Sequence, residues 1–66
     1  MTVVVNGEPR DVPDNSDVVG LLRLLGAPVD GVAVALNGEV VPRGQQEGTA
    51  LRPGDRVEVI RAVGGG

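Results

Sequence analysis

Residues 1–28, MTVVVNGEPRDVPDNSDVVGLLRLLGAP, change their hydrophobic period once, and that change decides the fold. The first twelve read as two strands joined at Asn6-Gly7, because this dipeptide accepts the positive φ angles that a two-residue hairpin turn demands. Side chains alternate across a strand, so Met1, Val3 and Val5 share one face and Thr2 and Val4 the other. From Val18 the period becomes helical. Val18, Leu21, Leu22 and Leu25 fall on one stripe, Ser16 or Asn15 is expected to cap the first N–H groups, and Asp17 suits the positive end of the helix dipole. Gly26 can close the helix in the left-handed conformation and Pro28 prevents its continuation. Gly20 costs the helix about 1 kcal/mol relative to alanine, which predicts a close approach to the sheet at that point.

Outward from this unit the alternating pattern returns. GVAVALNGEVVPR, residues 31–43, predicts a third strand with Val32, Val34 and Leu36 inward and Ala33 and Ala35 outward. A second turn at Asn37-Gly38 and a short strand at Val40-Val41 follow, and Pro42 marks the latter as an edge. GQQEGTA, residues 44–50, is polar and glycine-flanked and reads as a loop. LRPGDRVEVIRAV, residues 51–63, puts Pro53-Gly54 in a type II turn and then a strand with Val57 and Val59 inward. One helix laid across a small mixed sheet buries both apolar faces, so the class is α+β. Residues 1–62 are expected to form the domain and residues 63–66 a flexible glycine tail.

Composition narrows function by subtraction. A chain of 66 residues lies near the lower limit for folding alone, and this one has no cysteine, histidine or aromatic residue, so its core must hold by aliphatic packing. Cysteine, histidine and lysine are all absent, which removes the soft nucleophile, the near-neutral acid/base and the Schiff-base amine. Ser16 has nothing to activate it. The chain therefore reads as a non-enzyme. A net charge of −3 and the lack of aromatics argue against nucleic acid, which needs a basic surface and stacking platforms. No apolar run approaches a membrane span and no signal peptide is visible, so a cytoplasmic location is expected.

Two constellations have plain explanations. Asp11, Asp14 and Asp17 in DVPDNSD lack the central glycine and closing glutamate of a calcium loop, and read as turn and cap chemistry, so no metal site is expected. Asp55 beside Arg52 and Arg56 is a surface charge cluster of little energetic weight. What remains is the glycine run Gly64, Gly65 and Gly66. Residues without Cβ can be threaded through a narrow channel, and extended chain from Val63 reaches roughly 13–14 Å beyond the sheet. A carboxylate on Gly66 would then be the functional group. Beside it, Val4, Ala33, Ala35, Ile60 and Ala62 alternate onto the sheet face away from the helix and form a candidate docking patch.

The element order, the runs ALNGEVVPR and LRPGDRVEV, and the terminal Gly65-Gly66 together resemble the ThiS family of sulfur carriers, within the ubiquitin-like β-grasp group. The similarity covers essentially the whole chain, with Gly64 and Gly20 as departures. It implies that a ThiF-like adenylyltransferase uses ATP to convert the Gly66 carboxylate into an acyl-adenylate, that sulfur replaces the adenylate, and that the thiocarboxylate goes to a ThiG-like thiazole synthase. Gly64 and Gly65 would serve as the threaded tail, and Arg43 would join the docking positions. No bound cofactor is implied. Three alternatives stay open: a carrier for molybdopterin or cysteine synthesis, a ubiquitin-like protein modifier, and a plain interaction module.

Overall fold

A computed structural model of the chain describes residues 1–27 and 31–61. Thr2–Val5 forms β1 and Glu8–Asp11 forms β2, an antiparallel hairpin in which Val5 faces Glu8 across the Asn6-Gly7 turn. Asn6 at φ 50 and Gly7 at φ 84 occupy the left-handed region that this turn type requires. Val18–Leu24 forms α1, and Val32–Leu36 and Glu39–Val41 form the second hairpin, β3 and β4, around Asn37 at φ 51 and Gly38 at φ 87. Arg43–Gln46 is a single helical turn, α2, and Arg56–Arg61 is β5.

The five strands make one mixed sheet in the order β2-β1-β5-β3-β4. The last strand thus lies at the centre, parallel to β1 and antiparallel to β3. Alternation comes out as expected. Val3, Val5, Val34 and Val57 are buried on the face covered by α1, where Val18, Leu21 and Leu22 meet them, with Val12 and Leu51 closing the rim. Met1, Leu25, Val32, Leu36 and Val59 pack partly against this cluster. Pro42 follows β4, which is indeed an edge strand. Gly54 at φ 83 and the Asp55 N–H bond to the Arg52 carbonyl close the turn that launches β5.

Three local expectations need correction. The helix cap is Asp17, not Ser16 or Asn15: its Oδ1 accepts the Gly20 N–H at 2.7 Å and its Oδ2 the Gly48 N–H at 3.2 Å. Ser16 instead donates to the Pro13 carbonyl at 2.6 Å, and Asn15, at φ 68, turns the chain into the helix. Gly20 does not make room for the sheet. A Cβ there would lie 3.1 Å from Asp17 Oδ1, so the missing side chain accommodates the cap. The polar stretch at 44–50 is not all loop, since Gln45 N–H bonds the Pro42 carbonyl to form α2, and Gln46 is buried. From there the chain is stitched to the start of α1: Val18 N–H donates to Thr49 and Leu51 N–H to Ser16. Pro28 and residues 62–66 lie outside the described residues.

Candidate functional site

The candidate site rests on β5, the strand that precedes residues 62–66 in the sequence. Two asparagines hold it, one on each side. Asn6, at the end of β1, donates its N–H to the Val57 carbonyl at 2.9 Å, and its side-chain amide then imitates the next peptide of the strand. Asn6 Oδ1 accepts the Val59 N–H at 2.9 Å and Nδ2 donates to the Val59 carbonyl at 3.3 Å. Asn37, at the end of β3, does the same on the other side, donating its N–H to the Arg56 carbonyl at 2.7 Å and accepting the Arg56 N–H on Oδ1 at 2.9 Å. Its Nδ2 reaches Asp55 Oδ1. The residues that the sequence offers as turn formers are therefore also the clamps on the central strand.

The sheet face away from α1 carries the candidate docking residues. Ala33 sits opposite Ile60, and Ala35 sits opposite Glu58 on one side and Val40 on the other. Ala33 is exposed, Ala35 half-buried, Ile60 60% and Val40 75% exposed, so these four form an apolar stripe across β5, β3 and β4. Val40 is the member that sequence reading missed. Its alternation phase with Val41, which is buried, would have placed it there. Val4 shares the face but not the stripe: it is half-buried between Pro9 and Arg56, and Arg56 and Glu58 on β5 part it from Ala35 and Ile60. A shallow hollow of about 230 Å³ lies there, lined by Val4, Gly7, Gly38, Arg56, Val57 and Glu58. It has no enclosed polar cluster of the kind catalysis uses.

Arg43 opens α2 just past the end of β4 and is exposed. Because β4 runs antiparallel to β3, and β3 antiparallel to β5, this position lies at the end of the sheet from which β5 leaves. Ala62, Gly64, Gly65 and Gly66 fall outside the described residues. The aspartates of the DVPDNSD run serve structure: Asp17 caps α1, while Asp14 and Asp11 lie 3.0 and 3.6 Å from the Met1 amino group. Among the described residues no three acidic side chains gather as a metal site, and no helix is long and apolar enough to cross a membrane.

The family model described as the ThiS family matches residues 3–66. The crystal structure of the thiamine biosynthesis protein ThiS from Geobacter metallireducens superposes with a TM-score of 0.85 at 39% identity, covering 100% of both chains. Two proteins named thiazole synthase, from Paramagnetospirillum magneticum and Magnetococcus marinus, are each 38% identical over 66 residues. The match takes in 100% of this chain and 20% of theirs, so the chain spans a fifth of the length of those relatives.

Proposed function

The chain belongs to the ThiS family, whose β-grasp fold it has, and on that premise we propose that it carries sulfur for formation of the thiamine thiazole on the carboxylate of Gly66. The observation that supports this most is the placement of β5. The central strand is clamped by backbone on both sides and by Asn6 and Asn37, and it leads directly into a segment whose last three residues are glycine. Residues without Cβ are suited to passing through a narrow channel in another protein.

The chemistry proceeds in three exchanges. The Gly66 carboxylate is a poor electrophile, so one of its oxygens attacks the α-phosphorus of ATP in a ThiF-like adenylyltransferase and pyrophosphate leaves. Hydrosulfide, the sulfide-level nucleophile, then attacks the acyl carbon. The bond from that carbon to AMP breaks as the carbon–sulfur bond forms, which leaves a thiocarboxylate. In a ThiG-like thiazole synthase the sulfur passes to the acceptor as the acyl carbon–sulfur bond breaks and an oxygen takes its place, which regenerates the Gly66 carboxylate. An acceptor of that kind is supported by the two thiazole synthases whose longer chains contain a stretch similar to this domain. Apart from that carboxylate, the chain has no histidine, cysteine or lysine to serve as acid, base or nucleophile, and its role is delivery. The apolar stripe of Ala33, Ala35, Val40 and Ile60, at the side of β5, is the docking surface, with Arg43 at its tail end.

Intact-mass measurement after incubation with the adenylyltransferase, ATP and a sulfur source tests the reading. The expected result is a gain equal to exchange of one oxygen for sulfur, absent from a chain shortened by Gly65 and Gly66. An unchanged mass, or recovery of Gly66 in isopeptide linkage to other proteins, overturns it.

A further inference from the structure

Val5-Asn6-Gly7-Glu8 and Leu36-Asn37-Gly38-Glu39 are almost the same tetrapeptide, set at two hairpin turns. Asparagine before glycine is the dipeptide that loses its side-chain amide most readily, because a nitrogen unshielded by a neighbouring Cβ can attack the asparagine Cγ. Both glycines are placed for it. Each is exposed, and among the described residues neither the Gly7 nor the Gly38 N–H donates a hydrogen bond, since a two-residue turn leaves that group unused. What the fold holds is the electrophile. Ring closure swings Cγ toward the glycine nitrogen, so the amide must first give up its bonds to β5.

The two amides are held unequally. β1 meets β5 at Val4 and Val5 only, and past them the Asn6 side chain holds the Val59 peptide by itself, accepting its N–H at 2.9 Å and donating to its carbonyl at 3.3 Å. Asn37 follows a strand that runs beside β5 from Val32 to Leu36, and its Nδ2 lies 3.1 Å from Asp55 Oδ1. Attack begins as the glycine N–H loses its proton and negative charge builds at Cγ, which the Asp55 carboxylate opposes. Other charges are shared: a glutamate follows each glycine, and Gly7 and Gly38 line the same hollow as Arg56 and Glu58.

We propose that Asn6 is a site of spontaneous covalent modification, closing with Gly7 to a cyclic imide and reopening as aspartate or isoaspartate, with its bonds to Val59 as the restraint on that reaction. Closure forms the bond from Gly7 N to Asn6 Cγ, and the bond from Cγ to Nδ2 breaks as ammonia leaves. Water then adds to either imide carbonyl. Breaking the bond from Cγ to Gly7 N gives aspartate, whereas breaking the bond from the main-chain carbon to Gly7 N gives isoaspartate, whose main chain runs through Cβ. Neither product keeps the Nδ2 donor to the Val59 carbonyl, and the isoaspartyl form lengthens a turn built for two residues. The hold on Val59 weakens in both.

Peptide mapping of the full chain during incubation at mildly alkaline pH, with isoaspartate read by isoaspartyl methyltransferase labelling, tests this. In denaturant Asn6 and Asn37 react at the same rate, because their neighbours are nearly identical. In the folded chain Asn6 slows by about tenfold or more, the scale of releasing two hydrogen bonds, and Asn37 by about threefold further. Amide exchange on the modified chain gives the second reading: the Val59 amide exchanges faster, while the Ile60 amide, which faces β3, is unchanged. Asn6→Asp, the aspartyl product made directly, reproduces that pattern. Equal rates at the two sites in the folded chain, Asn37 reacting ahead of Asn6, or an Asn6 rate as fast folded as in denaturant overturns the proposal, and so does unaltered Val59 exchange after modification.

Discussion

Asp17 does more than a helix cap ordinarily does. Its two oxygens join the start of α1 to the segment after α2, and the bonds from the Gly20 and Gly48 N–H groups, in that order of importance, hold its carboxyl below the usual carboxylate range. A depressed folded pKa means that the unfolded chain binds the proton more readily, so the stabilisation is complete above the unfolded value near 3.8 and is lost as pH falls through the lower folded value. Acid titration of the thermal midpoint should therefore show a steeper fall below about pH 4 in the native chain than in Asp17→Asn. Asp17→Ala should cost about 1–2 kcal/mol by chemical denaturation, at the upper end for caps because two N–H groups lose their acceptor. Gly20→Ala probes the same contact. The helix gain of about 1 kcal/mol is offset by a Cβ lying 3.1 Å from Asp17 Oδ1, an oxygen that cannot swing aside while Oδ2 is held by Gly48. The variant should gain clearly less than an alanine at an open helical site.

Gln46 shows a different kind of residue-scale cost. It is 1% exposed, its Nε2 reaches the Val41 carbonyl at 3.4 Å, and its Oε1 has no partner. That carbonyl already belongs to the β3·β4 ladder, because Leu36 and Glu39 are the bonded pair that closes the two-residue turn and Val34 and Val41 are the next. Removing the amide thus forfeits a long second bond and relieves an unsatisfied acceptor. Gln46→Met should raise the denaturation midpoint, by about 1 kcal/mol in stability.

At the scale of elements, the two hairpins share a device. Each has an asparagine-glycine turn, and each asparagine spends its side chain on β5. In Asn6→Gly the turn keeps its positive φ but Val59 loses both amide contacts. Stability should drop by about 1–2 kcal/mol, with faster exchange at the Val59 amide as the diagnostic. Asn6→Asp retains an acceptor for the Val59 N–H but no donor for its carbonyl, and should fall between the two. These turns were legible in the sequence because asparagine and glycine are the residues that accept φ near +50 to +90. Their second role was not legible, since it depends on β5 passing within reach of both.

For the molecule as a whole, the small core and the outer face behave oppositely under substitution. Leu21 is fully buried among Val3, Val34 and Val57, so Leu21→Ala should cost about 2–5 kcal/mol, a large share of the 5–15 kcal/mol that a domain usually holds. Ile60 is 60% exposed on the far face. Ile60→Asp should leave stability within about 0.5 kcal/mol while lowering transfer of sulfur in a reconstituted reaction. Loss of folding in that variant would show that the stripe is structural rather than a docking surface.

The division between sequence and structure follows the range of the forces involved. Alternation, helical period and turn chemistry are local, so the residues alone determined the strands, the helix stripe, both hairpins and the class. Only the tertiary structure decided which neighbours a residue meets. The strand order placed the last strand at the centre and parted Val4 from the alanine and isoleucine stripe, and the packing tied the Asp17 cap to Gly48 and buried Gln46 inside a stretch that composition marks as loop. Each of these depends on contacts between residues far apart in the chain, and no local pattern encodes how two distant segments come to lie side by side.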